Sequence, residues 1–234
     1  MLALAHLVVA PLLLAGGTNV YFEQETVTST DGRSEGTGVF SRVWYGGRRM
    51  RLEAGDVAGG PAFVLQLDRG KAYRLDPVER TATEIDLERL RSSAQMDLSV
   101  AGDLMGGDEE GGARTAALRA PKTIAGYRCA GYRIKAGSAT MDLYVSQEVP
   151  LGVDAFAEFL DWTGASQALR GILDEIRKLP GFPLETRSRV SVLGKVHETR
   201  ATVTRVKVGP QPSSLFEVPR DYKVRPEEPL PEQE

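Results

Sequence analysis

Residues 62–85 read AFVLQLDRGKAYRLDPVERTATEI, and this stretch decides the fold. Within 62–67, Phe63, Leu65 and Leu67 fall on one side of an extended chain. Successive side chains of a strand point to opposite faces, so a period of two marks a half-buried strand. Asp68, Arg69 and Gly70 then turn the chain, because glycine tolerates the positive φ of a tight turn. Residues 71–75 (KAYRL) run back, Asp76-Pro77 opens a second turn, and 81–85 (TATEI) supplies a third strand. Loops this short leave no room for crossover helices, so the sheet is antiparallel.

The same pattern extends in both directions. Upstream, 20–28 (VYFEQETVT) is β-prone, 39–45 (VFSRVWY) ends at Gly46-Gly47, and 49–53 sets Met50 and Leu52 against Arg49, Arg51 and Glu53. Downstream come 114–118, 126–134 and 140–146, the last with Met141, Leu143 and Val145 on one face. In 126–134, Tyr127 and Cys129 have one parity and Tyr132 and Ile134 the other, which a bulge at Ala130-Gly131 would reconcile. Residues 184–193 and 196–208 alternate, joined by Gly194-Lys195 as a two-residue turn with glycine first, and 215–218 reads as a last short strand.

Helical spacing is confined to three places. Residues 87–96 are expected to form a short helix. Residues 154–160 carry Phe156, Phe159 and Leu160, and 167–179 carry Leu169, Ile172, Leu173, Ile176 and Leu179 on one face, stopped by Pro180-Gly181. The glycine-rich acidic stretch 99–113 reads as a flexible loop, and 226–234 (PEEPLPEQE) as a disordered acidic tail. The expected fold is mainly β (α+β), a single domain over 18–225. It is a strongly curved antiparallel sheet, half-barrel-like, with helices capping its concave face.

The N-terminus points to export. Residues 2–15 (LALAHLVVAPLLLA) are too few for a hydrocarbon core of about 30 Å, which takes about 20 helical residues. They suit the apolar region of a signal peptide spanning 1–17, with Ala15-Gly16-Gly17 placing small residues at −3 and −1 of a cleavage site after Gly17. The alternative is a buried N-terminal helix, which Pro11 disfavours. The expected location is periplasmic or secreted. No other segment is long and apolar enough to span a membrane, and the chain is expected to be a monomer.

Composition excludes several function classes. With 234 residues, 29 Lys+Arg against 32 Asp+Glu and a net charge of -3, the chain lacks the basic excess of a nucleic-acid binder. Cys129 is the single cysteine, and His6 and His197 are the two histidines. No disulfide, cysteine cluster or histidine-rich metal site follows, and no phosphate loop, dinucleotide fingerprint or G-x-S-x-G elbow implies a cofactor or nucleophile. His197, mid-strand in KVHET, reads as a surface residue, and Cys129 as a small buried apolar one. Asp108-Glu109-Glu110 lacks the spacing of a calcium loop. Arg48, Arg49 and Arg51 read as a solvated face, with anionic headgroups as the sharper alternative. No catalytic residue is expected. The side chains that could line an apolar pocket are Trp44, Phe63, Tyr73, Phe156, Phe159, Trp162, Leu169, Ile172, Leu173 and Ile176.

Five segments together resemble a family: GVFSRVWYGGRRMRLE, LDRGKAYRLDPVERTATEI, KTIAGYRCAGYRI, MDLYVSQEVPLGVDAF and SSLFEVPRDYKV. They are similar to the bacterial domain of unknown function 4412, within the LolA/LppX-like lipoprotein-carrier superfamily. The likeness runs from Tyr21 to Lys223, and Phe216 with Pro219 resembles the C-terminal strand of those carriers. The resemblance implies an exported protein with an apolar cavity under a curved sheet, and it brings no catalytic residues. The expected function is a non-catalytic envelope module holding a lipid or acyl chain. The alternatives are a structural or partner-binding protein with a filled core and, third, an enzyme with an unrecognised site.

Overall fold

The computed structural model describes residues 19–34, 36, 38–55, 59–87, 112–152, 154–155, 170–192 and 194–227. The expected signal peptide, the stripe from Phe156 to Leu169, most of the 99–113 loop and the tail beyond residue 227 lie outside these residues.

An N-terminal meander comprises β1 (Val20–Thr30), β2 (Arg33–Ser34), β3 (Val39–Gly46), β4 (Arg49–Ala54), β5 (Ala62–Gln66), β6 (Lys71–Asp76) and β7 (Thr81–Ile85). The second half comprises β8 (Arg114–Ala117), β9 (Lys122–Ile124), β10 (Tyr127–Ala136), β11 (Ala139–Ser146), α1 (Arg170–Ile176), β12 (Phe182–Val192), β13 (Lys195–Val208) and β14 (Lys223–Pro226). The strands form one sheet in the order β14-β7-β6-β5-β4-β3-β1-β13-β12-β11-β10-β8, with β2 beside β1 and β9 beside β10. β1 is the seam, pairing β3 on one side and β13 on the other. A large, mainly antiparallel β sheet is therefore what the short-loop meander produces.

Four details differ from the sequence reading. The turn between β12 and β13 comprises the two residues between Val192 and Lys195, so Gly194, at φ +77°, comes second rather than first. The strand expected at 215–218 is instead a 3-10 turn, Ser213–Phe216, that follows Pro212. Prolines at 212 and 219 have no N–H to give a ladder. The edge strand comes later, as β14, and it runs parallel to β7 rather than antiparallel. Pro226, the first residue of the expected tail, is the last of β14. The helices expected over 87–96 and 154–160 lie largely outside the described residues, and α1 falls within the helix expected over 167–179.

Register assigns every side chain to one of two faces. On the front face, Val206, Phe22, Val43, Leu52 and Phe63 are successive cross-strand partners. On the back face the corresponding row is Tyr21, Trp44, Arg51, Val64 and Tyr73. The main core lies on the front, around Val20, Phe22, Val43, Met50, Leu65 and Phe182. A second core joins Ile134, Leu143 and Val145 to Ile172, Leu173, Ile176 and Leu179 of the α1 region.

The segment after β13 straps the back face of the N-terminal meander. Gln66 Nε2 donates to the Phe216 carbonyl at 2.6 Å, and Val218 and Tyr222 pack on Val64, Tyr73 and Leu75. Arg49 clamps the strap through Glu217 (2.9 Å) while also holding Asp68 (2.6 Å). Arg49 and Arg51 are thus ion-paired strap and strand contacts, Arg51 with Glu53 at 2.8 Å.

Candidate functional site: an apolar cavity on the front face

The seam strand and its neighbours build a cavity of about 140 Å³ on the front face. Phe22 and Gln24 come from β1, Val43 and Tyr45 from β3, and Met50 and Leu52 from β4. β12 gives Phe182, Pro183, Leu184 and Thr186, and β13 gives Ala201. Leu151 and Ala155 close one side.

Local sequence explains why β12 contributes so much. Pairing of β11 with β12 slips between Tyr144 and Val145, which leaves Leu184 as the extra residue of a bulge. A bulge breaks strict alternation, so Phe182, Pro183 and Leu184 all reach the same cavity. The turn into β12 requires Gly181: its φ is +107°, and a Cβ there would collide with the Ser146 carbonyl. Phe182 then stacks on Phe22, ring centroids 5.5 Å apart and tilted 56°.

Behind the cavity, on the back face, Glu185 pins β12. It accepts from Lys122 on β9 at 2.6 Å and from Arg200 on β13 at 3.0 Å. Burial pushes this carboxyl up, and the two cations more than reverse the push, holding it below the usual glutamate range. Lys122 also sits 3.9 Å from the centre of the Tyr144 ring.

The lining is chemically plain. Among the described residues no carboxylate, imidazole, amine or thiol lines the cavity; Gln24, Thr186 and the Tyr45 hydroxyl are its polar groups. What such a site can do is take apolar surface out of water. Among the described residues every buried side-chain N or O atom has a hydrogen-bond partner, and no cluster of His, Cys, Asp or Glu is arranged to hold a metal. Cys129 is fully buried, and burial raises its thiol pKa. His197 is exposed, its Nδ1 2.9 Å from Thr30 Oγ1. No described helix is long and apolar enough to cross a membrane.

Of the ten side chains named from the sequence, the six that are described do not converge on one pocket. Phe63 lies on the front face and packs against the main core beside Leu52. Trp44 and Tyr73 lie on the back face and do not line the cavity. Trp44 packs on Tyr21 at 5.0 Å, and Tyr73 is under the strap. The Tyr21 hydroxyl donates to Glu23 at 2.7 Å, and burial together with that carboxylate pushes the phenol up to about 12. Ile172, Leu173 and Ile176 are solid core against β10 and β11, away from the cavity. Phe156, Phe159, Trp162 and Leu169 lie outside the described residues. Sequence reading missed Phe22, Met50, Leu52, Phe182 and Leu184. The available signal was the Met50/Leu52 parity and the Pro180-Gly181 stop immediately before Phe182.

The family described as "Domain of unknown function (DUF4412)" matches residues 51–222. No curated protein matches the chain. An uncharacterized conserved protein from Thermus thermophilus is similar in structure at TM-score 0.46 and 12% identity, covering 90% of this chain and 91% of that one. A LolA superfamily protein from Nitrosomonas europaea gives TM-score 0.32 and 12% identity, over 85% and 90%. A DUF1329 family protein from Desulfovibrio piger gives 0.34 and 10%, over 86% and 90%. With TM-scores below 0.5, none of these likenesses fixes the fold or the function of this chain.

Proposed function

The chain belongs to the family of domain of unknown function 4412, and from that premise we propose that it is an exported, non-catalytic binding module that holds an apolar ligand in the front-face cavity. The ligand class is a lipid or acyl chain. The observation that carries the reading is the cavity itself, an apolar space that the described side chains leave open between β1, β3, β4 and β12. The apolar run at 2–15 and the resemblance of five segments to the lipoprotein-carrier superfamily support it.

Volume limits what enters. The cavity, about 140 Å³, is close to the ~150 Å³ of an engineered apolar cavity that stays dry and takes benzene. It is below the roughly 300–1,000 Å³ of drug-sized ligand pockets. The described cavity therefore takes the end of an acyl chain rather than the whole of it. The same volume favours a second reading, a structural or partner-binding envelope protein whose core is nearly filled.

Ala201→Phe separates the two. Ala201 is the side chain through which β13 lines the cavity, and a phenyl ring there occupies the space. The carrier reading expects saturable binding of a fluorescent fatty acid by the wild type and its loss in Ala201→Phe. Absence of saturable binding by the wild type, with Ala201→Phe at least as stable, transfers the assignment to the structural reading. Export is tested separately: N-terminal sequencing of envelope material should begin near Thr18, and retention of Met1 would count against it.

A further inference from the structure

The back face of β10 to β13 is charged where the front is apolar, and two of its cross-strand rows share one build. In the first row, Arg133 on β10, Asp142 on β11 and Arg187 on β12 are successive register partners. The short central carboxylate is held by the long cations beside it. Arg133 donates Nε and Nη2 to the two Asp142 oxygens, each at 2.6 Å, and Arg187 lies within electrostatic range of the same charge.

In the second row, Lys135, Thr140 and Arg189 are successive partners. The geometry is the same, but the centre is a neutral hydroxyl. Neighbouring strands lie about 4.8 Å apart, so the two cations rise from strands about 10 Å apart with Thr140 between them. Lys135 is exposed and, among the described residues, forms no ion pair. Arg189 directs Nε and Nη2 at Glu198, at 3.2 and 2.8 Å, and Glu198 is shared with Arg187 at 2.9 Å.

The whole face is short of negative charge. Lys122, Arg133, Arg187, Arg189 and Arg200 share the carboxylates of Asp142, Glu185 and Glu198, and Lys135 adds a sixth positive charge. This excess of cations sits in a chain whose net charge is -3. Between the two rows lies a cleft of about 240 Å³ lined by Arg133, Lys135, Thr140, Asp142, Arg187 and Arg189. The N-terminal half of the same face is covered by the strap from Ser213 onward.

We infer that the Lys135–Thr140–Arg189 row is a binding site for a phosphate-type oxyanion. The anion takes the place in this row that the Asp142 carboxylate takes in the next. A guanidinium offers planar paired donors, an ammonium a compact charge and a hydroxyl a further donor, which together suit a tetrahedral oxyanion. A phospholipid headgroup and a small soluble phosphate share this chemistry. The site is on the opposite face from the apolar cavity, so its failure leaves the cavity reading standing, and the reverse.

The test uses the full mature chain and two probes. Amide resonances are followed while inorganic phosphate replaces chloride at constant ionic strength, and co-sedimentation is measured with phosphatidylglycerol and with phosphatidylcholine vesicles. Saturable phosphate-specific shifts at residues 135, 140 and 189 identify a soluble phosphate as a ligand. Binding to phosphatidylglycerol but not phosphatidylcholine vesicles identifies a headgroup. Lys135→Gln and Arg189→Gln should each weaken the response severalfold, and Arg74→Gln, an exposed cation elsewhere, should not. Thr140→Asp places a carboxylate at the centre of the row, between Lys135 and Arg189, and should abolish binding with resonance dispersion intact. Equal shifts with phosphate and chloride together with no vesicle preference, or full binding by Thr140→Asp, would overturn the proposal.

Discussion

The front face carries two apolar patches with opposite outcomes. Over β10 and β11, α1 seats Ile172, Leu173 and Ile176 against Ile134, Leu143 and Val145, and each of the six is at most 4% exposed. Around the seam strand, Phe22, Val43, Met50, Leu52 and Leu184 are just as apolar, yet they enclose a cavity. Composition does not separate the patches. Among the described residues the difference is the covering element: a helix inserts three side chains per two turns into one patch, while the other is bordered by Leu151, Ala155 and a bulged strand end. A filled patch contributes stability, and an open one offers binding.

The sharpest way to break this comparison is Leu173→Ala. Leu173 is 1% exposed in the filled patch, and truncating such a leucine costs about 2–5 kcal/mol. Denaturant unfolding should show that loss with fatty-acid binding unchanged. A cost below that range would mean that the patch is not the solid core its packing describes.

Glu185 comes next, because it fixes β12 from behind the open patch. Glu185→Gln removes a charge held by Lys122 and Arg200 and should cost about 1.5–3 kcal/mol near neutral pH, the range for hydrogen bonds to charged groups. Its folded pKa is depressed, so its contribution is fully present above the unfolded value of about 4.5 and is lost as pH falls through the folded value. Wild-type stability should therefore decline below about pH 4.5, and the variant should decline less steeply. Parallel acid limbs in the two unfolding profiles would refute this role.

Leu52→Ala should cost less than Leu173→Ala, about 1 kcal/mol, because a cavity-facing side chain lacks partners on one side. It should change fatty-acid affinity instead. A full core-sized loss with unaltered binding would erase the distinction between the patches. Smallest of all, Lys135→Gln on the exposed back face should shift stability by no more than about 0.5 kcal/mol, which thermal unfolding can verify.

Much of the sheet was legible because the meander over 62–85 combines period-two burial with turn chemistry, and both are local. Leu173 was legible as part of a helix face for the same reason, but the patch it covers was not. Trp44 shows where local reading stops. In 43–45 (VWY) every residue is apolar, so parity alone cannot say which face is inward. The register with Tyr21 and Arg51 decides it, and sends Trp44 to the back and Val43 and Tyr45 to the cavity. Leu215 and Phe216 looked like a strand, yet flanking prolines and the docking of Gln66 on the Phe216 carbonyl make them a turn in the strap.

By itself the sequence determined a mainly β architecture, an antiparallel meander and the family. Each of these depends on spacing of two, on turn residues or on residue types. Only the tertiary structure decided the rest: β1 as the seam, a parallel β14, a bulge that turns three successive residues of β12 into one cavity, and two cation rows of which one has a carboxylate at its β11 position. These depend on which strands pair and at what register. Pairing joins residues far apart in the chain, such as Phe22 with Val206, and is set by burial and hydrogen bonding summed over the whole sheet.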